Sequence, residues 1–250
     1  MNLLRSSFSS VMYGGIRWFG KPDEGIRILG YHRVNNDERN YTTVRVSDFR
    51  TQLQFLSEAG YQTISLDDLV DGRLKAKSIV ITFDDGYRDI YEYAYPILKG
   101  FGFSATVFCI GEQIGEASYL GWEDIEEMRR DGFEFGSHTL VHPDLRFLKQ
   151  EEKWREIFGS KKFLEERFGL KVNFFCYPFG LYDGEVINMV KKAGYMGACS
   201  NLPGANKKIN PYLLRRTEIA AQDTLDDFKK KLAGAYDFLH QALHQLRGRP

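Results

Sequence analysis

The 250-residue sequence has no surplus of either charge, because 34 lysines and arginines face 34 aspartates and glutamates. Without a net charge, the chain as a whole does not produce an electrostatic field that attracts nucleic acid or a strongly acidic ligand. No nucleic-acid partner is therefore expected. Cysteine and histidine are also scarce, with three and five residues. We therefore expect the function to reside in a local site.

The three cysteines, Cys109, Cys176 and Cys199, lie far apart in apolar, strand-like runs. An odd number of separated cysteines in such surroundings indicates core thiols in a reducing compartment and implies no disulfide framework. We expect a cytoplasmic protein or one that lies peripherally on the cytoplasmic face of the membrane. The sequence makes no prediction of the oligomeric state.

Long apolar runs are missing as well. Residues 1–20 are interrupted by Arg5, Gly14, Gly15 and Arg17, so they provide neither a signal-peptide core nor a membrane span. Apolar residues alternate with the arginines, and two alternatives remain for this segment. It forms a short interfacial helix on a membrane surface, or it packs against the flank of the protein's own domain.

One junction recurs along the chain: an amphipathic helix ends at a glycine, and an aromatic or aliphatic residue then opens a strand. Examples are "LSEAGYQTISL" and "LKGFGFSATVF". Helices that alternate with short apolar strands predict a mostly parallel sheet, either open or closed into a barrel. The glycines predicted to be left-handed are Gly60, Gly102, Gly132, Gly169 and Gly194.

Polar side chains follow several of the predicted strands. His32 follows "RILGY", Asp84 and Asp85 follow "SIVITF", and His138 follows "FEFGS". Because ligands bind at the carboxyl ends of parallel strands, these residues should meet at one rim of the sheet.

Taken singly, these motifs leave alternatives open. Asp84 and Asp85 fit a strand-terminating turn as well as a functional pair. His138 and His142 are spaced to hold one metal ion if the chain turns before Pro143, and they also fit a core histidine beside a loop histidine. Taken together, two imidazoles and one carboxylate form a three-ligand metal site with open positions, and the second carboxylate remains free as a base.

"TFDDG" at 82–86 and "SHTLVH" at 137–142 resemble the first two motifs of the polysaccharide deacetylase family, also called the NodB-homology domain. "ILGYHRV" and "FFCYPFG" resemble further segments of that family, so the resemblance extends from about residue 26 to residue 220. It implies an α/β fold of the distorted (β/α) barrel type with mostly parallel strands. It also implies Asp85, His138 and His142 as metal ligands and Asp84 as the catalytic base.

The chain departs from the family pattern at two places. Many members have an arginine where Cys176 stands, and Arg215 or Arg216 is expected to supply the missing guanidinium unless it forms a surface salt bridge. The late histidine that protonates the leaving amine is also missing. His32 is the candidate for that role, with a structural histidine as the alternative.

The implied reaction is hydrolysis of an acetamide on a sugar, with acetate as one product. A backbone N–H near Phe179 is expected to stabilise the oxyanion, and Tyr31, Tyr87, Pro178 and Tyr182 are predicted to contact the glycan. Zinc is the expected metal, with Co²⁺, Ni²⁺ or Fe²⁺ as alternatives. Two other functions remain open: deacetylation of a lipid-linked amino sugar or hydrolysis of a small amide, and non-catalytic glycan binding by a degenerate site.

The predicted organisation has three parts. Residues 1–25 form an N-terminal extension, residues 26–222 form the catalytic domain, and residues 223–250 form a C-terminal helix that packs on or beside it.

Overall fold

The computed structural model describes residues 25–37 and 40–237. The predicted N-terminal extension lies outside these residues except for its last position, and so does the end of the predicted C-terminal helix. Within the described residues, no helix is both long enough and apolar enough to cross a membrane.

The described residues form ten short strands. In chain order they are β1 (Arg27–Tyr31), β2 (Arg33–Val34), β3 (Thr43–Val44), β4 (Gln62–Thr63), β5 (Ser78–Phe83), β6 (Thr106–Cys109), β7 (Glu134–Ser137), β8 (Phe174–Cys176), β9 (Gly197–Cys199) and β10 (Thr217–Glu218).

Eight α-helices connect or flank these strands in the same part of the chain. They are α1 (Val46–Glu58), α2 (Leu66–Val70), α3 (Tyr95–Gly100), α4 (Trp122–Arg130), α5 (Gln150–Trp154), α6 (Ser160–Phe168), α7 (Gly184–Lys192) and α8 (Leu225–Leu232). A π-helical turn, Ile90–Ala94, precedes α3, and another, Arg155–Gly159, joins α5 to α6.

The main sheet is parallel throughout. Its strand order is β10-β1-β5-β6-β7-β8-β9, and β4 pairs with the first residues of β5. Leu214, just before β10, pairs with Cys199 of β9 and exchanges backbone hydrogen bonds with Ala198 and Ser200. This contact joins the two ends of the strand order, and the predicted (β/α) barrel is confirmed.

The core consists of two layers separated by the sheet. Alternation along β5 places Ile79 and Ile81 in the outer layer, under the helices, and Val80 in the inner layer. Phe108 fills the inner layer beside Gly136, where an added Cβ would lie 2.5 Å from the Phe108 ring. The barrel interior is therefore packed with side chains below its upper rim, the edge formed by the carboxyl ends of the strands.

The five predicted helix-to-strand glycines are all left-handed, with φ between 64° and 84°. Each follows a helix and precedes a strand of the main sheet, as predicted. At the C-terminal end, α8 packs on α1, and its Phe228 ring lies edge-on to Phe55 at a centroid distance of 6.3 Å. The predicted domain boundaries stay predictions, because the described residues do not reach either end of the chain.

Candidate metal centre and active site

The carboxyl ends of the strands converge as predicted. Asp84 and Asp85 follow β5, His138 follows β7, and His32 follows β1 directly. Asp84 continues the alternation of β5 and points into the barrel, where it is 2% exposed. These residues therefore meet at the upper rim, although more than 100 positions separate His32 from His138 in the sequence.

Asp85, His138 and His142 bring three ligand atoms close together. Asp85 Oδ1 lies 3.6 Å from His138 Nε2 and 3.7 Å from His142 Nε2, and the two Nε2 atoms are 3.1 Å apart. Ligand atoms about 2.0–2.1 Å from a tetrahedral zinc ion lie about 3.3–3.4 Å from each other. The observed triangle has the size that one such ion requires.

The tautomer of His138 is set by a backbone acceptor. Its Nδ1 lies 2.8 Å from the carbonyl oxygen of Cys176, so Nδ1 carries the proton and donates it. The lone pair of Nε2 is therefore directed toward Asp85 and His142. Metal-ligating histidines are held in this way in many proteins.

His142 also favours its neutral form. Burial is the main cause, and together with the neighbouring His138 it lowers the pKa of His142 to about 4, against the opposing effect of the Asp85 charge. A neutral imidazole has a free lone pair for a metal ion. At neutral pH the His142 side chain is thus ready to coordinate.

Left-handed backbone places several of these side chains. Asp85, Thr139, His142 and Phe179 have φ of 70°, 68°, 60° and 58°. Such a conformation is uncommon for residues with a Cβ, and strain of this type clusters at functional sites. At Asp85 the left-handed turn changes the direction of the chain after β5. The Asp84 carboxylate therefore lies inside the barrel, whereas the Asp85 carboxylate lies beside the two histidines.

The loop that presents His142 is held from below by Glu156, a buried residue of the π-helical turn. One Glu156 oxygen accepts hydrogen bonds from the backbone N–H groups of Leu140, at 2.9 Å, and Val141, at 3.1 Å. The hydroxyl of Thr139 accepts a further bond from the N–H of His142 at 2.9 Å. The second histidine is therefore fixed through its backbone.

Asp84 is paired with Arg216, which directly precedes β10. Arg216 Nη1 and Nη2 each donate a 2.6 Å hydrogen bond to a different oxygen of the Asp84 carboxylate. Arg216 is fully buried and also donates to the carbonyl oxygen of Ser200 and to the side chain of Asn201. Paired, planar contacts of this kind fix the orientation of a carboxylate.

The charge state of Asp84 follows from two opposing effects. Burial, the larger single effect, would raise its pKa, but the charge and hydrogen bonds of Arg216 together outweigh burial and hold the pKa well below its usual range. Asp84 is therefore an ionised carboxylate inside the barrel. The thiol of Cys176, where the family arginine was expected, lies 3.6 Å from both oxygens and donates only a weak bond.

His32 lies between two carboxylates. Its Nε2 is 3.9 Å from Asp84 Oδ2, and its Nδ1 is 4.0 Å from Glu218 Oε2. Glu218 lies over Gly30, where an added Cβ would be 2.7 Å from its Oε1. Glycine at this position of β1 therefore gives the Glu218 carboxylate room beside His32.

These residues open into a cavity of about 480 Å³. His32, Asp84, Asp85, His138 and His142 all line it. Its walls combine aromatic and aliphatic side chains with a few neutral polar ones, namely Tyr87, Tyr119, Phe179, Ile110, Val141, Thr42, Gln113 and Asn201. The predicted contact residue Tyr87 is thus at the site, and Phe179 is 49% exposed with its ring 4.5 Å from that of His142.

Other predicted residues are not brought to the cavity. Tyr31 is fully buried in the outer core and donates to Gln52 at 2.9 Å, so the prediction of a glycan contact is wrong for this residue. Tyr182 packs on Tyr177 at 5.1 Å and also lies outside the cavity wall. Pro178 is buried and does not line the cavity. Arg215 donates to the carbonyl oxygen of Pro203 at 3.0 Å, so Arg216 is the guanidinium at the site.

Several residues of the site were missed by sequence reasoning. Glu156, Glu218 and Tyr119 stand in segments without a recognisable motif, and only the folded chain brings them to the rim. A signal existed for Glu218, because it lies two positions after Arg216 in the same extended segment, and residues two apart in an extended chain face the same side.

The donor set fits a divalent metal ion. Two imidazole nitrogens and one carboxylate oxygen are ligands that zinc and its neighbours accept, and they leave coordination positions open toward the cavity. A second cluster, Asp84, His138 and Cys176, is fully buried. The guanidinium of Arg216 already neutralises its carboxylate, so the first cluster is the better metal site.

Comparisons with known proteins agree with this geometry. A sequence profile of the polysaccharide deacetylase family matches residues 71–198. YxkH of Bacillus subtilis (strain 168), whose name also places it among the polysaccharide deacetylases, is 34% identical over 77% of this chain and 71% of its own. A poly-beta-1,6-N-acetyl-D-glucosamine N-deacetylase of Staphylococcus aureus (strain MRSA252) is 28% identical over 85% of this chain and 83% of its own.

Two solved structures share the fold. The Streptococcus pyogenes deacetylase PplD in complex with acetate superposes with a TM-score of 0.78 at 27% identity, covering 85% of this chain and 99% of that one. The polysaccharide deacetylase BC0361 of Bacillus cereus gives a TM-score of 0.76 at 26% identity, covering 84% of this chain and 69% of that one. The resemblance seen in the sequence motifs is confirmed, and the chain belongs to the polysaccharide deacetylase family.

Proposed function

We propose that the protein is a metal-dependent N-deacetylase that removes acetyl groups from the amino sugars of a glycan and releases acetate. One observation carries the proposal: the three ligand atoms of Asp85, His138 and His142 lie 3.1–3.7 Å apart beside Asp84, an ionised carboxylate held by Arg216. A metal ion with an adjacent ionised carboxylate that does not ligate it is an arrangement that hydrolyses amides.

Asp85, His138 and His142 would hold the metal. When bound, the ion supplies positive charge that polarises the acetamide carbonyl and makes a water molecule more acidic. Zinc suits a site of two imidazoles and one carboxylate, and Co²⁺, Ni²⁺ or Fe²⁺ bind the same donors. We expect zinc, with the others as functional replacements.

Asp84 acts as the general base in this mechanism. It accepts a proton from the attacking water as the oxygen–carbon bond forms. Arg216 fixes the plane of the carboxylate through its paired 2.6 Å bonds, which directs the lone pairs of the base toward the cavity. The acetamide carbonyl oxygen then carries the negative charge, and the backbone N–H near Phe179 is the proposed donor to it.

His32 completes the reaction. It lines the cavity 3.9 Å from Asp84, where it can give a proton to the departing nitrogen as the carbon–nitrogen bond breaks. The products are acetate and a free amine. Tyr87 and Phe179 would form apolar walls for the sugar ring, because both line the cavity close to the metal ligands.

The substrate class is supported by the relatives. The curated Staphylococcus aureus protein is named for deacetylation of poly-beta-1,6-N-acetyl-D-glucosamine, and the structure of the Streptococcus pyogenes deacetylase contains acetate. For this chain we infer an N-acetylated amino sugar within a glycan. A lipid-linked amino sugar remains a second candidate, together with peripheral attachment to the cytoplasmic membrane face, but the N-terminal segment that favours it lies outside the described residues.

The non-catalytic alternative rests on two departures from the family pattern, Cys176 in place of the arginine and the missing late histidine. Arg216, directly before β10, donates to Asp84 where such an arginine is expected, and His32 is the proposed substitute for the histidine, so both departures are compatible with catalysis.

The proposal is tested by measuring acetate release from a panel of N-acetylated amino sugars, including glycan oligomers and lipid-linked forms, with metal-loaded and chelated protein. We expect release that chelation abolishes and that zinc or cobalt restores. Release that persists both after chelation and in Asp84→Asn protein would contradict the mechanism, and binding without any turnover would identify a glycan-binding module.

A further inference from the structure

Asn201 lies on the cavity wall and has no role in the proposed mechanism. It is the second residue after β9 and is half-buried. The guanidinium of Arg216 donates from Nη2 to its side-chain oxygen, Oδ1. Because a guanidinium has only donors, the amide atom that faces it has to be the oxygen. The amide nitrogen of Asn201, Nδ2, is therefore the atom that remains for another partner.

Asn201 Nδ2 is an unused hydrogen-bond donor. No residue in the described ranges 25–37 and 40–237 accepts a hydrogen bond from it. The atom is accessible, in contrast to Nδ1 of His32, which is buried without a partner. A ligand that fills the cavity displaces water from such a donor, and leaving the donor unpaired would then cost free energy. We therefore expect a ligand oxygen to accept from Nδ2.

Two contacts hold the Asn201 side chain in place. Arg216 binds its oxygen and is itself fixed by bonds to Asp84 and to the carbonyl oxygen of Ser200. From the other side, the left-handed turn at Gly180, with φ of 66°, packs against Asn201. A Cβ added to Gly180 would lie 2.5 Å from the Asn201 Cβ. The amide is thus oriented before a ligand binds, which lowers the entropic cost of the contact.

Asn201 lies on the same side of the general base as His32. Arg216 Nη2 donates to Asp84 Oδ2 as well as to Asn201 Oδ1, and two acceptors of one nitrogen lie within about 6 Å of each other. His32 Nε2 is 3.9 Å from the same Asp84 oxygen. Because His32 protonates the departing nitrogen in the proposed mechanism, the sugar carbon bonded to that nitrogen is expected on this side of the base.

Sugar chemistry limits which oxygen can reach Asn201. In a 2-acetamido sugar, the carbons next to the one that bears the nitrogen are C1 and C3. Within a glycan the C1 oxygen belongs to a glycosidic bond, whereas the C3 oxygen is a free hydroxyl in β-1,4- and β-1,6-linked chains. A hydroxyl oxygen accepts from an amide N–H. No lysine or arginine is among the described residues that line the cavity, so this wall offers hydrogen bonds and no positive charge.

We propose that Asn201 is a specificity-determining residue whose Nδ2 donates a hydrogen bond to the 3-hydroxyl oxygen of the amino sugar that carries the reacting acetamide. This inference rests on the proposed deacetylase function and deepens it, because it states which hydroxyl group of the substrate the site recognises.

The test compares trimers of N-acetylglucosamine, in β-1,4 and β-1,6 linkage, with the same trimers lacking their 3-hydroxyl groups, as substrates of the metal-loaded full-length protein. Asn201→Ala should lower kcat/KM on the complete trimer about three- to tenfold, the order of a neutral hydrogen bond. On the 3-deoxy trimer the variant should equal the unmodified protein, because the accepting oxygen is absent.

A purely structural role of Asn201 would give a different pattern. In Asn201→Ala, Arg216 keeps its bonds to Asp84 and to the Ser200 carbonyl oxygen, so the base should stay oriented. If Asn201 instead acted through Arg216, kcat/KM would fall by the same factor on the complete and the 3-deoxy trimers. Either that result or an unchanged kcat/KM on both substrates overturns the inference.

One protein variant and one substrate serve as matched controls. Asn173 is also half-buried and donates to Asp67 at 3.2 Å, but it does not line the cavity, so Asn173→Ala should leave both rates unchanged. The control substrate lacks its other free hydroxyl groups, those at C6 in the β-1,4 trimer or at C4 in the β-1,6 trimer. Asn201→Ala should lower kcat/KM on it as on the complete trimer, and a loss that disappears only with this substrate would overturn the assignment.

NMR titration of the same trimers with metal-free protein separates this inference from the proposed function. Suppose that no acetate is released, that the unmodified protein binds the complete trimer more tightly than the 3-deoxy trimer, and that Asn201→Ala removes the difference. The deacetylase function is then refuted and the role of Asn201 is supported. Equal affinities of the two trimers for the unmodified protein, or no binding of either, would refute the role of Asn201 even while acetate release continues.

Discussion

Arg216 donates two parallel 2.6 Å hydrogen bonds to Asp84, one to each carboxylate oxygen, inside the barrel. Both side chains are buried, so neither charge has water as an alternative partner. The pair therefore contributes both to the fold and to the orientation of the base. The first prediction follows from this double role.

Arg216→Met should abolish acetate release and destabilise the protein. Removing one member of a buried pair leaves an uncompensated charge and costs about 3–5 kcal/mol of unfolding free energy. Arg216→Lys should retain more stability but lose most activity, because an ammonium group cannot reproduce the two parallel bonds. Arg215→Met is the control, since Arg215 contacts the Pro203 carbonyl instead. Equal effects of the Arg215 and Arg216 variants in denaturant unfolding and acetate assays would contradict this account.

Substitutions of the two adjacent aspartates should have different effects on metal content and on kcat. Asp84→Asn should retain bound metal and lower kcat by about 100- to 10,000-fold, the usual contribution of a general base. Asp85→Asn should instead lose metal, because Asp85 supplies one of the three ligand atoms. Metal content by elemental analysis, measured beside kcat, distinguishes them. A metal-free Asp84→Asn protein would refute the assignment of roles.

The loss of rate on substituting His32 should increase with the basicity of the leaving group. His32→Gln should lower the rate on an acetylated amino sugar by about 100-fold, because the departing nitrogen needs a proton. An activated aryl acetate needs no such proton, so the same variant should hydrolyse it at close to the unmodified rate. Equal losses on both substrates would show that His32 is a structural residue.

Glu156→Ala should weaken metal binding without removing a ligand. The loop before His142 would lose the acceptor of two backbone N–H groups, at 2.9 and 3.1 Å. Loss of such supporting contacts typically lowers metal affinity about 10- to 100-fold. Glu166→Ala on α6 is the control, because Glu166 forms only an exposed ion pair with Lys162 at 3.6 Å. Competition with a chromogenic chelator measures the affinities, and identical values for the two variants would reject the role.

The metal-free protein should lose stability as the pH falls from about 6.5 toward 4. His142 has a pKa of about 4 in the fold, below the 6.5 usual for histidine, so the unfolded chain takes up a proton in this window that the native state excludes. The stability contribution is complete above pH 6.5 and is lost on acidification. His142→Asn keeps a residue that tolerates left-handed backbone and should flatten the slope. An unchanged slope in denaturant titrations of chelated protein would exclude His142 as its source.

The sequence predicted those parts of the molecule that depend on local pattern. Glycine-terminated helices before apolar strands predicted the parallel barrel, and strand ends predicted the meeting of Asp84, Asp85 and His138. These inferences hold because parallel topology alone brings strand ends to one rim.

The sequence pattern did not predict in which direction individual side chains point. Tyr31 and His32 are neighbours, but alternation along β1 sends Tyr31 into the outer core and His32 to the cavity. The choice between Arg215 and Arg216 required the register of β10 beside β1, which pairs Leu29 with Thr217. Glu156 and Tyr119 reach the site only through contacts between segments that are distant in the sequence, so no local sequence pattern predicts their positions.

The base and its guanidinium are 132 positions apart, and the proposed acid stands near the start of the same domain. A nascent chain that has passed Asp84 but not yet reached Arg216 would carry an unneutralised anion in an unclosed sheet. Hydrolysis therefore requires β10 to have paired with β1. Acetate release would then indicate that the newly made polypeptide has completed its folding.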